Sequence, residues 1–523
     1  MTKQTPRNWL VAVAATLLLI ALSGCTSFSD YIHNGFKVGP NYCPPCGPVS
    51  DHWIDDRDPN VSSEPPNDAT WWRTFNDPVL DCLVQTAYCQ NLSLRIAGCR
   101  ILEARAQRGI AVGNLFPQSQ QAFGDYTRTN LSKNAPNGVA TFNYDEWTLG
   151  TNLAWELDFW GRFRRAIEAA DATLDATVAN YDDVLVLLLS EVAQQYTSLR
   201  TAEQRLEYAR QNVEDQRRSL GLADFKFRNG ATTRLDVTQG QSNLSQTEAL
   251  IPPLEAIRRQ AANQLCILMG MPPRNIEAML GTRTIPLAPP CVAVGIPADL
   301  LRRRPDVRRA ERQAAAQSAQ IGIAEAELYP HFSITGSIYL DATNFRDLFD
   351  PRSFAGNVGP TFNWNILNYG RLVNNVHVQE ARFQQLVLNY QNTVLQANAE
   401  VENALIGFLK AQQAVKYLVT SADAATQSLD LVRLQYKEGQ TDFNRVLNVE
   451  QLLTQQEDQL AVARGSVAQN LILVYRSIGG GWQIRCAPPP PMPPSAPPPA
   501  EVVPVPAATP NVPLPQPPAA PTP

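Results

Sequence analysis

Two passages of this chain, "LAWELDFWGR" at residues 153–162 and "FNWNILNYGR" at 362–371, carry a Trp, an apolar residue, an aromatic, a Gly and an Arg in the same order. Trp155 and Trp364, Gly161 and Gly370, Arg162 and Arg371, Tyr181 and Tyr390, Glu191 and Glu400, Gly230 and Gly439, and Val237 and Val446 all stand 209 positions apart (364 − 155, for example). An unchanged offset over more than 80 residues means a unit duplicated without insertion. Two copies fall short of the three units a stacked solenoid needs, so they point to a pseudo-symmetric pair.

Within each copy the apolar period changes in the same order. Trp147, Leu149, Thr151, Leu153 and Trp155 alternate with Thr148, Gly150, Asn152 and Ala154, the period of a strand with one apolar and one polar face. In the second copy Val358, Pro360, Phe362, Trp364 and Ile366 alternate with Gly359, Thr361, Asn363 and Asn365. Ahead of them, Phe332, Ile334, Gly336, Ile338 and Leu340 alternate with polar neighbours from His331 to Tyr339. A weaker strand covers 118–129, so each copy offers one hairpin, at about 118–157 and about 331–366. Strands of about ten residues are the length a tilted strand needs to cross a bilayer. A half-buried soluble sheet would show the same alternation; aromatic residues at the strand ends favour the membrane. Four strands cannot close a barrel, and lipid tolerates no open sheet edge, so strands that span must be joined by those of further copies.

The remainder reads as helix. Residues 162–227 and 371–436 are rich in Ala, Leu, Gln, Glu and Arg with few breakers, giving rods about 100 Å long. Each rod ends at a compact turn, "FRNGATTRLD" (227–236) or "YKEGQTDFNR" (436–445), where Gly230 and Gly439 suit a left-handed helix terminus. Helices then return through 235–268 and 443–477. Their apolar positions are diluted by Ala, Ser, Gln and Asn, which suits helices walling a wet cavity better than a dry two-stranded seam.

The N-terminus carries Lys3 and Arg7 before an apolar run from Leu10 to Leu22, too short to span a bilayer and patterned as an export signal. It ends in "LSGC", which resembles the bacterial lipobox, so Cys25 is expected to carry a covalent lipid and 1–24 to be the signal peptide. Eight further cysteines make disulfides plausible in an oxidising compartment, without fixing the pairing. Cys82 and Cys89, seven apart on one helix face, are about 10 Å apart and cannot bond each other. "CPPC" at 43–46 sits in a Pro-rich leader, 25–70, with no βαβ pattern to make it a redox motif. Lys plus Arg number 44 against 49 Asp plus Glu, which argues against a nucleic-acid surface, and four His leave little for metal chemistry. The organisation is then a first repeat over 71–281, a second over 282–482, and a Pro-rich tail over 483–523 that cannot build a packed core.

"VGPNY" (38–42), "WWRTFNDPVLDCL" (71–83), "IPADLLRRRPDVRRAERQAAAQSAQIGIAEAELYPHFSITG" (296–336) and "SIGGGW" (477–482) resemble passages of TolC-like outer membrane factors, in the lipoprotein branch serving RND-type multidrug pumps. The resemblance implies an α+β membrane protein, a homotrimer whose 12-stranded β-barrel, four strands per protomer, continues into a long periplasmic α-barrel. It implies a passive exit duct without enzymatic activity or cofactor, docking a periplasmic adaptor (membrane fusion protein) and an inner-membrane transporter at the helical tips around Gly230 and Gly439. Asp236 and Tyr436 match a polar link that keeps the family's periplasmic gate closed. Acidic positions ringing the family's aperture correspond here to Arg445 and Asn448, and an Arg of a second link to Thr441, so cation selectivity does not carry over. Arg445 either faces the pore or takes a solvated outer position. The Arg302–Arg309 cluster reads as a helix start at Pro305, and Gly161 and Gly370 as the strand-to-helix junctions. Two other functions stay in view: a type I protein-secretion duct, and a lipid-anchored coiled-coil protein of the envelope.

Overall fold

The structure, a computed structural model, describes residues 28–64, 69–130 and 143–486, the side chains of Leu301 and Arg302 excepted. Cys25 and the expected signal peptide, residues 131–142 within the expected first hairpin, and residues 487–523 of the Pro-rich tail lie outside the described residues.

The leader carries a short helix, α1 (Phe28–His33). The first half then runs α2 (Pro78–Gln90), α3 (Leu92–Gly113), β1 (Ser119–Asn130), β2 (Asn143–Leu157), α4 (Arg162–Arg228), α5 (Arg234–Glu248) and α6 (Ile251–Leu268). The second runs α7 (Pro305–Ala326), β3 (His331–Ala342), β4 (Phe354–Asn363), α8 (Arg371–Lys437) and α9 (Phe443–Ser477). The rods α4 and α8 are each 67 residues long, about 100 Å at 1.5 Å per residue.

Two boundaries depart from expectation. The first return helix is interrupted, because Pro252 and Pro253 fit only the opening turn of a helix; α5 ends at Glu248 and α6 starts at Ile251, while α9 runs unbroken. The last strand stops at Asn363 instead of Ile366. There Trp364 turns away to donate from Nε1 to the Leu328 carbonyl at 3.0 Å, as Trp155 donates to that of Leu115 at 3.2 Å.

The four strands form one antiparallel sheet in the order β1-β2-β3-β4. Its register sets Leu149 opposite Leu340, Trp155 opposite Ile334, and Phe332 opposite Phe362, gathering the apolar alternates on one face. Asn152 lies opposite Ser337 and Ser333 opposite Thr361 on the other face. No residue of these strands is buried by the chain itself, and the outer edges of β1 and β4 pair with nothing among the described residues. A soluble half-buried sheet needs one face covered, and the described residues supply no such cover.

The core lies among the helices. In α4, Leu185, Leu189, Val192, Tyr196 and Leu199 are fully or almost fully buried, and α2, α3, α5, α6, α7 and α9 all pack on this rod. The Tyr196 hydroxyl donates to Asp77 at 2.6 Å, fixing the start of α2 to the rod. The arginine cluster is paired rather than displayed. Pro305 opens α7, Arg304 bonds Asp306 and Glu400, and Arg308 and Arg309 face Asp182 and Asp183 on α4. Cys43, Cys46, Cys82, Cys89, Cys99, Cys266, Cys291 and Cys486 are all free thiols, so none of the bridges their even number allowed is formed.

Candidate functional site

At the first junction β2 gives way to α4 within five residues. Gly161 has φ +84°, which favours glycine, and it offers no side chain to cap the helix. Asp158 does so instead, accepting from the amides of Phe163 (2.9 Å) and Arg164 (3.0 Å) and from Arg164 Nε (2.8 Å). Arg162 reaches Glu156 on β2 and Glu327 beyond α7, both at 2.8 Å, and His331 at the start of β3 bonds Glu156 at 3.0 Å. The leader is strapped across this junction. Arg164 donates to the carbonyls of Gly35 and Phe36, and buried Arg165 to those of Val38 and Gly39. Lys37 pairs with Glu168, and a Cβ on Gly161 would come within 2.9 Å of the Lys37 backbone. The second junction has Gly370 at φ +80° and, among the described residues, no strap; a Cβ built on Gly370 would meet only the Asn374 side chain, at 3.5 Å.

The far ends of the rods close in matching turns. Ala231 N–H donates to Lys226 O and Gly230 N–H to Phe227 O; Gln440 donates to Gln435 O and Gly439 to Tyr436 O. Both are Schellman closures with the glycine at φ +72° or +76°. Tyr436 packs on Phe443 with ring centroids 5.1 Å apart, and the Lys226 ammonium lies 4.1 Å from its centroid while donating to its carbonyl. Burial, then the Asp236 charge, push the Tyr436 hydroxyl pKa up. Asp236 is brought to this end of the molecule, but its carboxylate accepts from Thr232, and among the described residues no hydrogen bond joins it to Tyr436. Arg445 and Asn448 are both exposed on α9, where the Arg445 amide donates to the Asp442 cap at 2.9 Å. Thr441 is half-buried.

A polar ladder between α4 and α9 was not visible in the sequence. Arg205 bonds Asp458 (2.6 Å), Asn212 bonds Glu457 (2.7 Å), and Ser219 bonds Glu450 (2.5 Å). Glu450, 2% exposed, also accepts from Asn243 of α5 (3.3 Å) and Arg433 of α8 (3.1 Å), so four helices converge on one carboxylate. Burial raises the pKa of Glu450 and Glu457, more than their hydrogen bonds lower it. The only signal in the sequence is a Glu amid the apolar positions of α9, which a solvated face explains equally well.

The profile of the outer membrane efflux protein family matches residues 83–271 and 296–480. Nodulation protein T of Rhizobium leguminosarum bv. trifolii is 32% identical over 465 residues, 87% of this chain and 97% of that protein. The pyoverdine export outer membrane protein OpmQ of Pseudomonas putida is 30% identical over 428 residues, 80% of this chain and 89% of its own. The solved outer-membrane channel OprN superposes with a TM-score of 0.81 at 30% identity, covering 85% of this chain and 99% of that one. CusC superposes with 0.73 at 26%, covering 85% and 100%. These relatives are efflux and channel proteins rather than enzymes. With its amphipathic four-stranded sheet set on paired 67-residue rods, the chain belongs to the outer membrane efflux protein family, an α+β outer membrane channel protein that extends into the periplasm.

Proposed function

We propose that the chain is the passive exit duct of a tripartite pump, carrying small molecules such as drugs across the periplasm and outer membrane. The observation that carries this reading is the sheet, which has one apolar face, one polar face and, among the described residues, two unpaired edges and no covering from its own chain. Unpaired backbone groups in hydrocarbon cost several kcal/mol each, so the edges close only on copies of themselves. Three copies of the four-stranded sheet make a 12-stranded barrel with the apolar face to lipid and the polar face to the lumen. The helices support the same closure. They pack in the order α3, α4, α7, α8, and the free flanks carry exposed Ile96, Leu102 and Ile110 on α3 and Leu388 and Leu395 on α8.

The tips at Gly230 and Gly439 are the docking ground for a periplasmic adaptor and an RND-type inner-membrane transporter, and Cys25 carries the covalent lipid. Tyr436, Asp236, Arg445 and Asn448 belong to the periplasmic gate. The relatives are named for pyoverdine export, cation efflux and nodulation, so the compounds exported are set by the pump. Purified protein in planar bilayers should give discrete conductance steps; none would refute the duct. A deletion strain should gain drug susceptibility with protein secretion unchanged, whereas the converse would favour a type I secretion duct.

A further inference from the structure

A second repeat, with a different offset, joins helix to strand where the first joins strand to helix. "RGIAVGNLFP" at 108–117 and "IGIAEAELYP" at 321–330 are 213 positions apart (330 − 117). The two offsets agree in space, because the indoles of Trp155 and Trp364 donate to Leu115 and Leu328, themselves 213 apart. Corresponding residues at the two junctions are thereby fixed.

Inside the chain the start of α4 meets the end of α7. Trp160 stacks on Tyr329 with centroids 4.5 Å apart at 24°, and its Nε1 donates to the Pro330 carbonyl at 2.9 Å. Gly322 lies so close to Arg165 that a Cβ there would come within 2.9 Å of Nε. The counterparts of Trp160 and Arg165, at offset 209, are Tyr369 and Asn374. Those of Tyr329 and Gly322, at offset 213, are Phe116 and Gly109. Within one chain these counterparts do not meet. Tyr369 is 97% exposed and Phe116 60%, and nothing lies within 4 Å of a Cβ built on Gly109. Tyr369 is moreover held at φ +51°, a left-handed conformation that a bulky residue rarely adopts without a partner to fix it.

We infer that Tyr369 of one copy stacks on Phe116 of the next copy, with Asn374 set against Gly109 of that copy, so that the interface between copies repeats the Trp160–Tyr329 contact inside each. The occupant of the exposed aromatic is therefore a second copy of this chain. This rests on the proposed closure by copies and adds the register at which it occurs.

Two differently tagged full-length copies, one F116C and one Y369C, are co-expressed and oxidised in membranes. The expected result is a covalent dimer carrying both tags, shown by peptide mapping to be joined between positions 116 and 369, with that linkage absent from either variant alone. Native mass measurement of the same samples separates the possible failures. No mixed-tag dimer from particles of three copies overturns the aromatic register and leaves the duct standing, whereas single-copy particles overturn both. As a second readout, F116A and Y369A should each raise the dissociated fraction in detergent about tenfold, since an aromatic pair is lost at each interface. W160F should leave it unchanged. Equal loss for W160F, or none for the other two, contradicts the inference.

Discussion

The two strand-to-helix junctions arise from one duplicated sequence, yet the chain finishes only the first. Around Gly161 the leader supplies backbone carbonyls to Arg164 and Arg165, Lys37 crosses the glycine, and Arg162, Glu156, Glu327 and His331 tie two strands to two helices. Around Gly370 the counterparts of Glu156, Glu327 and His331 are Asn365, Asn114 and Gln118, the ion pairs are gone, and Tyr369 stands in the open. The difference teaches that duplication gave both junctions the same bend, while what packs against each bend decides whether it is an internal joint or an edge.

The largest test of that contrast is glycine replacement. Gly161→Ala forces a side chain into a left-handed backbone and against the Lys37 main chain, and should cost about 3 kcal/mol. Gly370→Ala meets only a movable Asn374 side chain and should cost about 1 kcal/mol. Thermal unfolding of the two variants side by side checks the ranking, and equal losses would break it. Next comes Arg165→Ala, which leaves the leader carbonyls of Val38 and Gly39 unpaired at a cost of about 2–3 kcal/mol. Limited proteolysis should then cut within residues 35–42 while the second junction is untouched. His331→Gln, by comparison, removes a partly solvated partner of Glu156 and should change stability by no more than about 1 kcal/mol.

The tip supplies a contrast of smaller size and opposite position. Glu450 and Glu457 have raised pKa values, so they bind protons more tightly in the packed ladder than when it is open. The stability they lend is present below the ordinary carboxylate value of 4.5 and is lost as pH rises through their raised values. Hydrogen exchange along α9 near Glu450 should accordingly be slower, after correction for intrinsic rates, on the acid side of that window than above it. Glu450→Gln should flatten most of the difference without altering either junction. A tip that instead tightened as pH rose would contradict the assignment.

Much of the fold was legible because it rests on period and spacing. Alternation over 147–155 and 332–340 gave strands and their apolar face, and helix-forming composition with few breakers gave both rods to within a residue. The break at Pro252 and Pro253 was equally local, but the surrounding Ala- and Gln-rich pattern hid it. What stayed hidden depends on partners far along the chain. The leader strap joins residues more than 120 positions apart, and Glu450 gathers Ser219, Asn243 and Arg433 from three other helices. The 213 offset is present in plain residues, but it holds only ahead of the hairpins, whose lengths differ by four positions (213 − 209), so it does not continue the 209 offset behind them. Of the candidate gate residues, the resemblance singled out Asp236 and Tyr436, which lie at the same tip, while the contacts they make with Thr232 and Lys226 come from neighbouring turns that no pattern in the sequence marks.

Electron cryo-microscopy of the purified full-length protein in lipid nanodiscs tests the closure most directly. The expected density is a closed ring of three copies and 12 strands, with six strand-to-helix junctions, strapped and unstrapped in alternation, and Tyr369 against Phe116 of the next copy at each unstrapped one. A single-copy particle, or a sheet whose edges are covered by other parts of its own chain, would contradict it.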